Sequence, residues 1–115
     1  MNEPYIYGMC EQISVLGAGY ELFAVALQRT DGGFDLVLDR EASDFEGIET
    51  DMVTKLRHLA REDGLVLIAQ FSSTKFTKEL RADVEATFLR WLEANLCFSP
   101  QKSVTLAWDQ VEFGY

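Results

Sequence analysis

Few residues in this chain have the types and spacing that catalysis needs. His58 is the only histidine, so any Ser–His–acid or Cys–His mechanism would have to use it. It falls near the end of a helical stretch, where an imidazole meets the helix C-terminal dipole and can pair with Glu62 four positions on. That structural role is the expected one. Cys10 and Cys97 are the only cysteines, with no Cys or His at metal-ligand spacing. A tetrahedral zinc site is therefore excluded, and two reduced thiols are expected. Ser72-Ser73-Thr74-Lys75 has the S-x-x-K spacing of some acyl-transfer enzymes but lacks their companion motifs. A hydroxyl cluster between a strand and a helix is first of all an N-cap. The alternative is an anion held at that helix start by Ser72, Ser73, Thr74 and Lys75, with Lys78 nearby.

Two further chemistries fail on their own patterns. Gly17-Ala18-Gly19 lacks the third glycine of a dinucleotide fingerprint and precedes a strand rather than a helix. A metal-dependent nuclease core needs an acid on one strand, which Asp39 could supply, and E-x-K on the next. Here the next strand reads Leu67-Ile68-Ala69-Gln70-Phe71. No catalytic set, cofactor or metal is assigned, and a non-enzymatic protein is the favoured reading.

The acids are the feature above background. Residues 1–63 carry 13 acids and 5 bases, whereas residues 64–115 carry 6 and 5. Within 35–51 stand Asp35, Asp39, Glu41, Asp44, Glu46, Glu49 and Asp51 against Arg40 alone. Such clustering is self-repulsive. Acids in the first turn of a helix account for part of it. A hard-cation site accounts for it less well, because the spacing does not match a calcium loop. A docking face for a basic protein accounts for the rest, with Asp35, Asp39, Glu41, Asp44 and Glu46 as the expected contacts over a floor of Ala24, Ala26 and Val37. Inhibitors and immunity proteins of basic enzymes work in this way, and a nucleic-acid-binding protein would be a suitable target. A net charge of -9 argues against direct binding of nucleic acid or anionic lipid.

The elements that must position these residues follow from length and periodicity. The chain's 115 residues, 48% apolar with two prolines, suffice for one domain over 1–115 and exclude low-complexity and disordered classes. The longest apolar runs, 22–27 and 65–69, are too short to cross a membrane, and the acidic start lacks a signal-peptide pattern, so a cytoplasmic protein is expected.

Ile6, Met9, Cys10, Ile13 and Leu16 predict a helix over 5–16, although alternation fits nearly as well. Residues 20–40 predict a hairpin whose two-residue loop is Asp31-Gly32, so that Gln28 opposes Asp35 and Ala24 opposes Asp39. Ser43 and Glu46 form a capping box for a helix running to about Glu62, with Gly47 weakening the first turn so that the firm helix starts near Thr50. Residues 65–71 read as a buried central strand, at whose carboxyl end a parallel sheet would bind a ligand. Phe76, Leu80, Val84, Phe88, Trp91, Leu92 and Leu96 predict a helix over 75–96. Val104, Leu106 and Trp108 predict a last strand, bulged at Asp109-Gln110 where the parity changes. The expected fold is α/β (α+β), ordered helix-β-β-α-β-α-β, with two main helices on a mixed sheet of four or more strands. The aromatic ends (Tyr5, Tyr7, Phe113, Tyr115) either tuck into the sheet or support a homo-oligomer.

Overall fold

A computed structural model describes residues 5–6, 8–17, 20–46, 50–96 and 105–113. Seven elements follow one another: β1 (Gly8–Gly17), β2 (Tyr20–Gln28), β3 (Phe34–Asp44), α1 (Thr50–Leu59), β4 (Val66–Phe71), α2 (Lys78–Leu96) and β5 (Thr105–Phe113). The strands form one five-stranded sheet in the order β4-β3-β2-β1-β5, and every neighbouring pair is antiparallel. The class is α+β. No described helix is long and apolar enough to cross a membrane.

Four expectations are corrected by this sheet. Residues 8–17 are a strand rather than a helix, hydrogen-bonded on both sides to β2 and β5. Ile13 and Val15 alternate into the core, and their β-branched side chains suit a pleat; the helical spacing of Ile6, Met9 and Ile13 was coincidental. The sheet is wholly antiparallel, not mixed. The apolar 65–71 run is an edge strand, not a central one, because α2 carries the chain from β4 at one edge to β5 at the other. Four interstrand spacings amount to about 19 Å, which a helix of 19 residues, about 28 Å long, can cross obliquely. Finally, β5 pairs with β1 in unbroken register from Thr105 to Phe113, with no bulge at Asp109-Gln110. The parity changes because Leu106 and Trp108 join the core beneath the helices, whereas Val111 lies opposite Cys10, a residue of the other face.

The hairpin slips by one residue from its expected register. Gln28 opposes Phe34, Leu27 opposes Asp35 and Ala24 opposes Leu38. The loop holds three residues, Thr30-Asp31-Gly32: Arg29 N–H donates to Gly33 O at 2.7 Å and Gly32 N–H to Arg29 O at 2.9 Å. Gly32 takes φ 105°, a conformation open to glycine at little cost. Because side chains alternate, a one-residue slip exchanges the faces of one strand relative to the other. Leu36 and Leu38 therefore share a face with Leu22 and Ala24, under the helices, where Ile13, Val15 and Val66 complete the floor. Val25, Leu27 and Val37 lie on the opposite face with Tyr5, Cys10 and Leu65.

Both helices bury their stripes in the first of these cores. Leu80, Val84, Phe88 and Leu92 of α2, spaced four apart, are buried there with Leu56 of α1. Each such side chain contributes about 2 kcal/mol by leaving water. Helix α1 starts at Thr50, as the weakening by Gly47 implies. Ser43 belongs to β3, where its hydroxyl donates to Asp39 O at 2.6 Å and accepts from Phe23 N–H at 3.0 Å, beside an irregularity in β2–β3 pairing. Tyr5 is tucked against β2, bridging Arg29; Tyr7 and Tyr115 lie outside the described residues, as does the Phe113 side chain.

Candidate functional site

The slipped register decides the fate of Asp35. Instead of standing on an acidic surface, it pairs with Leu27 on the face of the second core and is buried, 3% exposed. Its carboxylate accepts from Arg29 Nη1 at 2.6 Å, Tyr5 Oη at 2.7 Å and Gln70 Nε2 at 3.1 Å, and Arg61 Nη1 lies 3.9 Å away. Arg61 in turn donates to Tyr5 Oη at 2.7 Å and pairs with Asp63, while Arg29 pairs with Asp31. Burial, then the bond to Asp35, pushes the Tyr5 hydroxyl up to about 12 against the pull of Arg61. The Gly33 N–H, helped by Arg29, holds Asp31 below the usual carboxylate range. This cluster ties four sequence-distant pieces together: the N-terminal segment, the hairpin, β4 and the loop after α1. Every polar group in it has a partner, so it is a clamp, and Asp35 is removed from the docking residues.

The other predicted contacts lie toward the far end of β3: the partners of Asp35 and Asp44, Leu27 and Glu21, are about 20 Å apart along β2. Asp44 and Glu46 are exposed, and Asp39 is half-buried. Asp39 accepts from Ala42 N–H at 3.1 Å and Asp44 from Glu46 N–H at 3.0 Å, so both are satisfied by backbone rather than by cations. Glu41 lies in β3, and its side chain is outside the described residues. The structure adds a residue that the 35–51 window missed: Glu21 of β2 stands directly opposite Asp44. Only the strand register could have revealed it. Among the described residues the ion pairs use Arg29, Arg61 and Arg81; none reaches Glu21, Asp39, Asp44 or Glu46. The proposed floor dissolves, since Ala24 lies under the helices and Val37 on the opposite face, both fully buried, with Ala26 almost so.

The hydroxyl loop caps no helix. Ser72, Ser73, Thr74 and Lys75 are all exposed. Ser73 Oγ donates to Lys75 O at 3.1 Å, and Thr74 O accepts from Gln28 Nε2 at 3.2 Å, fastening the loop to the hairpin. Helix α2 starts three residues later than expected, and Thr77 Oγ1 is its cap, accepting from Leu80 N–H at 3.1 Å. β4 is an antiparallel edge strand, so Ser72–Lys75 do not follow the carboxyl end of a strand in a parallel sheet.

His58 is exposed in the last turn of α1. Cys10 is buried as a free thiol, which burial pushes up from its ordinary value, and its Sγ lies 3.4 Å from Gly8 O; Cys97 is outside the described residues. No group of three or more His, Cys, Asp or Glu among the described residues could hold a metal. No protein-family model, curated protein or solved structure matches the chain.

Proposed function

We propose that the protein is a non-enzymatic interaction module, of inhibitor or immunity type, that docks the acidic end of its sheet onto a basic protein. Glu21, Asp39, Asp44 and Glu46 are the contacts. The observation that carries this reading is the cross-strand pair Glu21–Asp44. Like charges directly opposite one another destabilise a sheet, and here no ion pair among the described residues reaches them or the nearby Asp39 and Glu46. A basic partner would relieve that repulsion on binding, and the field of the acids would steer its approach. Such steering raises association rates rather than contact area, so the effect belongs in the on-rate.

The test pairs the wild-type chain with Glu21→Lys/Asp44→Lys. Affinity capture from native lysate, read by mass spectrometry, is expected to return one near-stoichiometric basic protein that rising salt releases. The double variant, folded by circular dichroism, should associate with that protein at least about tenfold more slowly. A captured protein that binds the variant at the wild-type rate, or whose binding ignores salt, would refute the acidic face.

A further inference from the structure

A second feature, independent of the acidic end, lies at the hairpin end of the sheet. There the start of β1 and the segment leading into α2 border a cavity of about 280 Å³. Phe34 and Phe76 form its aromatic wall, edge to face with centroids 5.5 Å apart, and Met9 and Ile6 stand at its rim 64% and 54% exposed. Its only charged lining residue is Glu11. Phe76 packs edge-on against Trp108, whose N–H is held by Glu85 and whose ring lies 5.0 Å from the Arg81 guanidinium carbon. A neighbouring cavity of about 300 Å³ shares Glu11 and adds Arg81, Trp108, Asp109 and Gln110.

Glu11 is the unusual member. Its side chain is only 17% exposed, yet its carboxylate takes one ordinary bond, from Gln110 Nε2 at 3.1 Å, and its one cation among the described residues, Arg81 Nη2, stands off at 3.5 Å. Asp35, at the clamp, receives bonds of 2.6 and 2.7 Å. A carboxylate largely withdrawn from water normally takes charge-assisted bonds near 2.7–2.9 Å. Arg81 reaches Glu11 only at 3.5 Å, with its guanidinium carbon 5.0 Å from the Trp108 ring. The cavity therefore combines apolar and aromatic walls, a weakly compensated carboxylate and a rim of exposed Met9 and Ile6.

We propose that this cavity binds a small amphipathic amine, its apolar or aromatic body against Met9, Phe34 and Phe76 and its ammonium on Glu11. The size sits at the lower end for ligand pockets, which run to roughly 300–1,000 Å³, so the guest is small. The protein's net charge of -9 attracts a cation and repels an anion. A carboxylate guest would meet Glu11 and Asp109 with Arg81 already engaged.

The probe is 2-phenylethylamine, titrated into the full chain and followed by backbone amide spectra and the Met9 methyl signal, with 3-phenylpropanoate as the anionic control. Saturable shifts are expected at residues 8–12, Phe34 and Phe76, with none from the control. Glu11→Gln should weaken binding by about tenfold, the scale of one lost charged hydrogen bond. Arg81→Gln, which frees Glu11 from its competitor, should tighten it. This opposite response keeps the test decisive if Glu11→Gln fails to fold. Equal affinity in Glu11→Gln, weaker binding in Arg81→Gln, equal binding of the carboxylate, shifts confined to the acidic end, or no shift at millimolar amine would each overturn the proposal.

Discussion

Asp35→Ala would take the central acceptor out of the clamp. The side chain is 5% exposed, and its loss takes a buried acceptor from the Tyr5 hydroxyl, the Gln70 amide and the Arg29 guanidinium, while Arg61 loses a charge 3.9 Å away. Removing one partner of a buried ion pair generally costs about 3–5 kcal/mol. The lower part of that range applies here, because the arginine side chains remain 22% and 32% exposed and keep Asp31 and Asp63 as partners. A loss of about 3 kcal/mol is expected, which for a chain of this length lowers Tm by roughly 10–15 °C. Thermal and urea unfolding by circular dichroism measure it directly. A cycle with Tyr5→Phe sharpens the test: that change should cost about 1 kcal/mol in the wild type and measurably less once Asp35 is alanine, when only the bond from Arg61 among those described here is still lost. A loss below about 1 kcal/mol for Asp35→Ala, or additive single and double variants, would refute the assignment of Asp35 as a structural anchor.

Two further outcomes follow from the same geometry. The Tyr5 hydroxyl is raised in the folded protein to about 12 from an ordinary 10, so its contribution to stability is whole below pH 10 and lost as pH rises through 12. Spectrophotometric titration should show a tyrosine ionising near 12, and Tyr5→Phe should abolish that step and flatten the alkaline limb of the stability curve. Thr77→Ala should cost about 1 kcal/mol by uncapping α2, whereas Ser72→Ala and Ser73→Ala, on exposed positions, should stay within about 0.5 kcal/mol; urea midpoints of the three variants would separate them.

Legibility in the sequence tracked how local each cause was. The α2 stripe of Leu80, Val84, Phe88 and Leu92 was readable because helical periodicity needs no partner to reveal it. The hairpin was readable from Asp31-Gly32, but its loop is one residue longer than that dipeptide implies. The turn is closed by Asp31 Oδ1 accepting from Gly33 N–H and by Gly33 passing close to Phe71 O, a contact from a strand 38 residues away. That single slip moved Asp35 from a surface to a core and broke up the Ala24–Ala26–Val37 floor. The acidic end was half legible: the composition marked Asp39, Glu41, Asp44 and Glu46, but Glu21 joins them only through pairing. Glu11 and its cavity gave no linear signal, since Phe34, Phe76 and Trp108 converge from three separate segments.

The sequence by itself determined the class of elements after residue 20, the apolar face of α2, the excess of acid and the lack of a histidine or cysteine constellation, because each depends on residue type and short-range spacing. Tertiary structure decided whether residues 8–17 would be helix or strand, since two flanking strands supply hydrogen bonds that local propensity cannot weigh. It also decided which strand lies at the edge and which acid is buried. Strand order and register are set by packing between distant segments, and a period of two leaves both faces open until a partner chooses one.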